Sequence, residues 1–203
     1  INNLEDSIRK IQRNGLKKIN GNLILDLSYF GFAPKEKSFD NDPMRAYNAL
    51  PRPVVIQSNT MNFVFAIKDK KLIIESNPNL EHFSIKNNIK ITNDRCIDWK
   101  SKLNYQTQQN KLKSQVIFDG KFSRKCGTKA INLSVLDNDE YFFRIFKKIW
   151  NRSGGDFNGN LDETYINNNN LKVIYRHNSR PLSEIIRDVN KYSLNLMARN
   201  TML

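Results

Sequence analysis

Apolar residues recur at helical spacing at Leu4, Ile8 and Ile11, and Asn14-Gly15 follows as a stop signal. The pattern predicts an amphipathic helix. The run INGNLILDLSYF, residues 19–30, reads as a strand introduced by Asn-Gly punctuation. A similar order returns late in the chain. Asp137-Asn138-Asp139 offers caps, Phe142, Ile145, Phe146 and Ile149 form an apolar face, and Gly154-Gly155 ends the helix. FNGNLDETYI, residues 157–166, then follows. The string Asn-Gly-Asn-Leu occurs at Asn20–Leu23 and again at Asn158–Leu161, each time a few residues after a helix-ending glycine. Two helix-then-strand units of similar design, side by side in one α/β domain, are expected.

Between them the pattern changes to short apolar or alternating bursts broken by Asn, Asp and Pro. VVIQSNTMNFVFAIKDKKLIIES (54–76) and FSIKNNIKITN (83–93) predict strands, and QVIFDGKFS (115–123) predicts a hairpin turning at Asp119-Gly120. Residues 54–127 therefore read as a β-rich unit inserted between the two helix-strand units. LKVIYRHNS (171–179) predicts a further strand. It leads into a helix with Leu182, Ile185, Ile186 and Val189 on one face and Pro181 at its start.

The 203 residues hold 39% hydrophobic and 26% charged side chains, the balance of a globular chain with room for a core. No apolar run approaches the roughly 20 residues that span a bilayer. The net charge of +13 favours anionic partners. The basic residues are spread along the chain, however, and no RNA-binding signature, zinc finger or basic zipper accompanies them. Cys96 and Cys126 both sit in polar, turn-like settings, and are either two unrelated thiols or a disulfide of an oxidising compartment. With only these and the distant His82 and His177, a zinc site is disfavoured.

Acyl transfer by a serine can be carried by S-x-x-K, S-x-N and K-T-G, in which a base near the Ser activates its hydroxyl and the Asn amide binds a substrate peptide group. S-x-x-K occurs once, at Ser7-Ile8-Arg9-Lys10, inside the first amphipathic helix, and reads as a chance match. No K-T-G occurs. Ser193-Leu194-Asn195 fits S-x-N, but taken alone Ser193 is better read as the cap of a helix carrying Leu196, Met197 and Leu203.

The neighbouring residues alter that balance. NGLKKINGNLILDLSYFG, DNDPMRAYNALPRPVVIQSNTMNFVF, RCIDWKSKL, GKFSRKCGTKAINLSVLDNDEYF and SRPLSEIIRDVNKYSLNLMAR run in order along nearly the whole chain. Together they resemble successive segments of the D-alanyl-D-alanine carboxypeptidase/endopeptidases, the class C low-molecular-weight penicillin-binding proteins. The resemblance implies an α+β or α/β fold. Residues 1–53 and 128–170 would form an inserted α/β domain, 54–127 a nested β-rich unit, and 171–203 part of a penicillin-recognising serine transpeptidase domain. Ser193 would match the catalytic Ser of S-x-N, and Asn195 its substrate-binding Asn. Leu194 departs from the common Asp between them, which touches fine specificity. S-x-x-K would lie upstream of Ile1 and K-T-G downstream of Leu203, so this chain alone would be inactive. The resemblance further implies a periplasmic protein with a Cys96–Cys126 disulfide. Its partners would be peptidoglycan stem peptides and β-lactam antibiotics, with no metal or organic cofactor, no nucleic acid and at most peripheral membrane contact. The alternative is a non-catalytic basic module that binds peptidoglycan or nucleic acid.

Overall fold

A computed structural model describes residues 1–28, 40, 42–109, 113–165 and 171–202. The architecture mixes helices and strands, as expected, and the chain divides into two compact units. One comprises Ile1–Asn59 with Asp137–Leu203, and the other Thr60–Leu136.

In the first unit, α1 (Asn2–Arg13) and α2 (Asn138–Arg152) end alike. The N–H of Asn14 donates to Lys10 and that of Gly15 to Gln12; the N–H of Ser153 donates to Ile149 and that of Gly154 to Asn151. Gly15 and Gly154 then take φ of +98° and +87°, the left-handed conformation that glycine enters without steric penalty. The strand expected over 19–30 is two short pieces, β1 (Lys18–Ile19) and β2 (Leu23–Asp26), and Tyr29 and Phe30 lie outside the described residues. β1 and β2 pair in parallel with their counterparts after α2, β10 (Asp156–Phe157) and β11 (Leu161–Thr164).

The two Asn-Gly-Asn-Leu strings are thus neighbours in space. Leu23 stands opposite Leu161, Asn22 Oδ1 accepts from the Asn160 N–H at 3.0 Å, and Asn22 Nδ2 donates to Asp162 at 2.6 Å. A Cβ on Gly159 would lie 2.0 Å from the Gly21 carbonyl oxygen, so only glycine allows this approach. Trp150, Tyr141, Ile145, Ile8 and Phe157 fill the core beneath, each almost fully buried.

The second unit contains β3 (Met61–Lys68), β4 (Lys71–Asn77), β5 (Phe83–Asn87), β6 (Lys90–Thr92), β7 (Leu103–Gln109), β8 (Ser114–Ser123) and β9 (Lys129–Leu133). β3 is flanked by β4 and β9, both antiparallel to it. This unit therefore runs from Thr60 to Leu136, where the sequence pattern suggests 54–127. β8 pairs in parallel with β5 and β6 and antiparallel with β7.

The two groups of strands meet through aromatic rings. Phe63 and Phe65 of β3 each lie 5.2 Å from Phe118 of β8, and Phe65 lies 5.9 Å from Phe122. The expected hairpin at Asp119-Gly120 is absent, because β8 continues straight through both residues. Gly120 is there for closeness rather than reversal. It has φ +108° and stands opposite Leu103, and a Cβ on it would fall 2.1 Å from the Lys102 carbonyl oxygen. Cys96 and Cys126 form a disulfide within this unit.

Residues 171–181 form no strand. Among the described residues no neighbouring strand accepts their backbone groups, and a lone alternating stretch has no ladder to join.

Candidate active-site segment

α3 (Leu182–Tyr192) follows the expected periodicity. Yet none of its residues is buried, and Leu182, Ile186 and Tyr192 are exposed. Arg180 ties its polar side together, with Nη2 2.8 Å from Asp188 Oδ2. The helix stops at Ser193, which takes φ 51° and ψ 49° as its C-cap. Left-handed backbone at a non-glycine residue costs on the order of 1–3 kcal/mol and persists only where its surroundings hold it. The Leu194 N–H donates to Val189 and the Asn195 N–H to Ser193, which closes a tight reversal.

The next helix, α4 (Asn195–Thr201), therefore starts one residue later than Ser193 capping would require. Leu194 occupies its N-cap and no side chain caps it, so the expectation that Ser193 caps this helix is corrected. Leu203 lies outside the described residues. The reversal leaves the side chains of Ser193 and Asn195 exposed while Leu196, beside them, is buried.

What holds the reversal is the far end of α4. Asn200 makes two hydrogen bonds to the backbone of Arg52. Its Oδ1 accepts from the Arg52 N–H at 3.1 Å, and its Nδ2 donates to the Arg52 carbonyl at 3.2 Å. Arg199 donates to the Ala49 carbonyl at 3.2 Å. The Arg52 side chain continues inward, with Nε 3.1 Å from Asp139 Oδ2 at the start of α2. Asn138, next to it, donates to the Leu50 carbonyl. Burial pushes the Asp139 carboxyl up to about 6; Arg52 opposes that rise, and Glu163 and Asp137 add to it. Nothing in the sequence singles out Arg52 or Asn200, and Asp139 stands out there only as a helix-cap candidate. Arg52 lies between two prolines, but nothing local says that a side chain 148 positions away will read its backbone.

The S-x-x-K match at Ser7 shows no pairing of its hydroxyl with the Lys10 amine. Ser7 Oγ donates to the Asn3 carbonyl one turn back at 2.8 Å, and Lys10 Nζ lies over the Tyr175 ring, 6.0 Å from its centroid. Hydroxyl and amine are thus each engaged away from the other. Among the described residues no three or more His, Cys, Asp and Glu side chains are grouped to hold a metal ion, and no helix is long and apolar enough to cross a membrane.

A model of the D-Ala-D-Ala carboxypeptidase 3 (S13) family matches residues 1–203. The fold is similar to a crystal structure of penicillin binding protein 4 (dacB) from Haemophilus influenzae, with a TM-score of 0.71 at 20% identity over 96% of this chain and 43% of that one. A structure of the same protein complexed with a novel beta-lactam matches with a TM-score of 0.65 at 18% identity, over 97% of this chain and 41% of that one. This chain thus spans less than half the length of those solved chains. No curated protein matches it. The chain belongs to the D-Ala-D-Ala carboxypeptidase 3 (S13) family.

Proposed function

We propose that this family member is part of a periplasmic D-alanyl-D-alanine carboxypeptidase/endopeptidase that acts on peptidoglycan stem peptides through a serine acyl-enzyme. Ser193 and Asn195 belong to the second of its three active-site motifs. The nucleophilic Ser with its Lys, and the K-T-G strand, belong to parts of the parent protein beyond these 203 residues. The observation that carries the reading is the braced reversal at Ser193, which sets two exposed polar side chains at the mouth of a short helix. Family membership over the full 203 residues supports it.

In this reading the nucleophile attacks the carbonyl between the two D-alanines. The Ser193 hydroxyl belongs to the network that passes the proton to the departing amine, and the Asn195 amide hydrogen-bonds the substrate's peptide group. D-Ala leaves and water hydrolyses the ester. A β-lactam carries an acyl carbonyl of the same kind and is expected to acylate the same Ser. The apolar stripe of α3 and the 171–176 segment, which joins no strand among the described residues, fit a domain completed by further chain.

Fluorescent penicillin tests this. The 203-residue chain should stay unlabelled while the parent protein is labelled, and Ser193→Ala or Asn195→Ala in the parent should slow labelling by about 100-fold, the scale of losing one acid–base or positioning group. Labelling of the short chain at Ser7, or a parent indifferent to both substitutions, overturns the assignment.

A further inference from the structure

A second feature of the first unit lies away from Ser193 and Asn195 in residues and in charge. α1 carries Glu5, Arg9, Gln12 and Arg13 at spacings that bring them to one face. With Lys17 and Arg152 they line an open groove of about 970 Å³ where the last turns of α1 and α2 come together. Four cations stand there against one carboxylate. Glu5 uses both its oxygens, taking Arg9 Nη2 at 2.7 Å and Arg152 Nη2 at 2.8 Å. These guanidiniums hold its carboxyl below the usual carboxylate range, so it stays ionised. One carboxylate thereby sets two guanidiniums side by side, each side chain still more than half exposed. Neither Arg13 nor Lys17 has an ion pair among the described residues.

The ordinary explanation for cations at helix C-termini is that they complement the exposed carbonyls. Much of that demand is already met. The carbonyls of Lys10, Gln12, Ile149 and Asn151 accept from backbone N–H groups, and that of Trp150 accepts from Gly155 and from Gln12 Nε2. The floor is also kept clear, since Gly15 and Gly154 each face open space where a side chain would project. Two guanidiniums held by one carboxylate, with two further cations beside them, form a receptor for planar oxyanions. Among the described residues no aromatic side chain lines the groove, so they offer no stacking surface of the kind on which nucleobases are held.

We propose that this groove binds the side-chain and terminal carboxylates of an acidic peptide. Under the carboxypeptidase reading, on which only the identity of the partner rests, that peptide is a stem of the peptidoglycan polymer held at a distance along the chain from the bond being cut.

Triglutamate and its all-amide counterpart, triglutamine amide, are titrated into the protein by calorimetry at low and at physiological salt, with inorganic phosphate as a third ligand. Triglutamate should bind saturably and more weakly as salt rises, and the amide should not bind. Arg9→Gln with Arg13→Gln should weaken binding about tenfold, the effect of losing one or two charge-assisted hydrogen bonds. Lys70→Gln with Lys71→Gln, in the turn after β3 and at the first position of β4, should leave it unchanged. Arg152→Gln, read beside a melting curve, supplies an independent variant should the double substitution unfold.

No saturable binding, equal losses from both double variants, or phosphate displacing triglutamate at equal concentration each overturns the proposal, the last two by showing a diffuse or unselective attraction. Penicillin labelling of the parent separates the two readings. Labelling without triglutamate binding defeats the groove alone, and binding without labelling defeats the carboxypeptidase partner while the carboxylate site stands.

Discussion

In β3, Met61, Phe63 and Phe65 are 1%, 0% and 0% exposed, whereas Leu171, Val173 and Ile174 are 61%, 65% and 51% exposed. Both stretches are short apolar bursts broken by polar residues, and both read as strands. β3 has β4 and β9 on its two edges and the β8 phenylalanines over its face. The second stretch has none of these among the described residues. A strand is a cooperative object. Its backbone groups need a neighbour and its apolar face needs a cover, and the same local pattern without them yields exposed irregular chain. Most of the second unit is therefore specified by its own residues, while residues 171–192 carry an apolar surface that the described chain does not cover.

The sharpest way to break this contrast is to truncate a side chain in each region. Phe65→Ala removes a ring that touches Phe118, Phe122 and Trp99 and should cost about 3–5 kcal/mol of stability. Ile174→Ala should stay within about 0.5 kcal/mol in this chain. Urea melts of the two proteins compare them directly, and equal losses would mean that 171–176 is packed in solution. Next in size is the disulfide, which closes a loop between positions 30 apart. Replacing Cys96 and Cys126 by Ser should cost roughly 3–4 kcal/mol in the chain-entropy model. Mass spectrometry of unreduced, alkylated protein should find no free thiol.

Gly159→Ala tests the pairing of the two Asn-Gly-Asn-Leu strings. The added methyl would meet the Gly21 backbone and the buried Phe157 ring, so a loss of about 2–3 kcal/mol is expected. A neutral result would show that β2 and β11 part easily.

The smallest effect concerns the brace behind α4. Asp139 has a folded-state pKa of about 6 against an ordinary value of 3.8, so its proton is held more tightly in the folded protein. Its contribution to stability is complete below pH 3.8 and is lost as the pH rises through about 6. The stability of the wild type relative to Asp139→Asn should therefore fall between those values, by less than about 3 kcal/mol, the ceiling that a rise from 3.8 to about 6 sets. Thermal melts at a series of pH values check this, and a difference that rises with pH would show that the Arg52 ion pair outweighs burial.

The helices α1, α2 and α3, the β-rich middle and the duplicated helix-then-strand units were all legible, because each rests on a period or a stop signal a few residues long. Gly120 shows where such reading fails. Asp-Gly is a turn signal, but a glycine is equally demanded where another strand's carbonyl comes within 2.1 Å of its Cβ position. Ser193 shows it again. A serine ahead of an apolar run suggests an N-cap, yet the residue ends α3 in the left-handed conformation.

What the sequence determined by itself was the helices α1, α2 and α3, the β-rich character of the middle, the kinship of the two Asn-Gly-Asn-Leu units, and the short Ser193-Leu194-Asn195 pattern, because periodicity and punctuation act within a few residues. The tertiary structure alone decided that the duplicated strands lie side by side, that Asn200 reads the backbone of Arg52, and that Arg9 and Arg152 share Glu5. Each of these joins residues far apart in the chain. Such contacts form only once packing has already overcome the entropy of closing the loops between them.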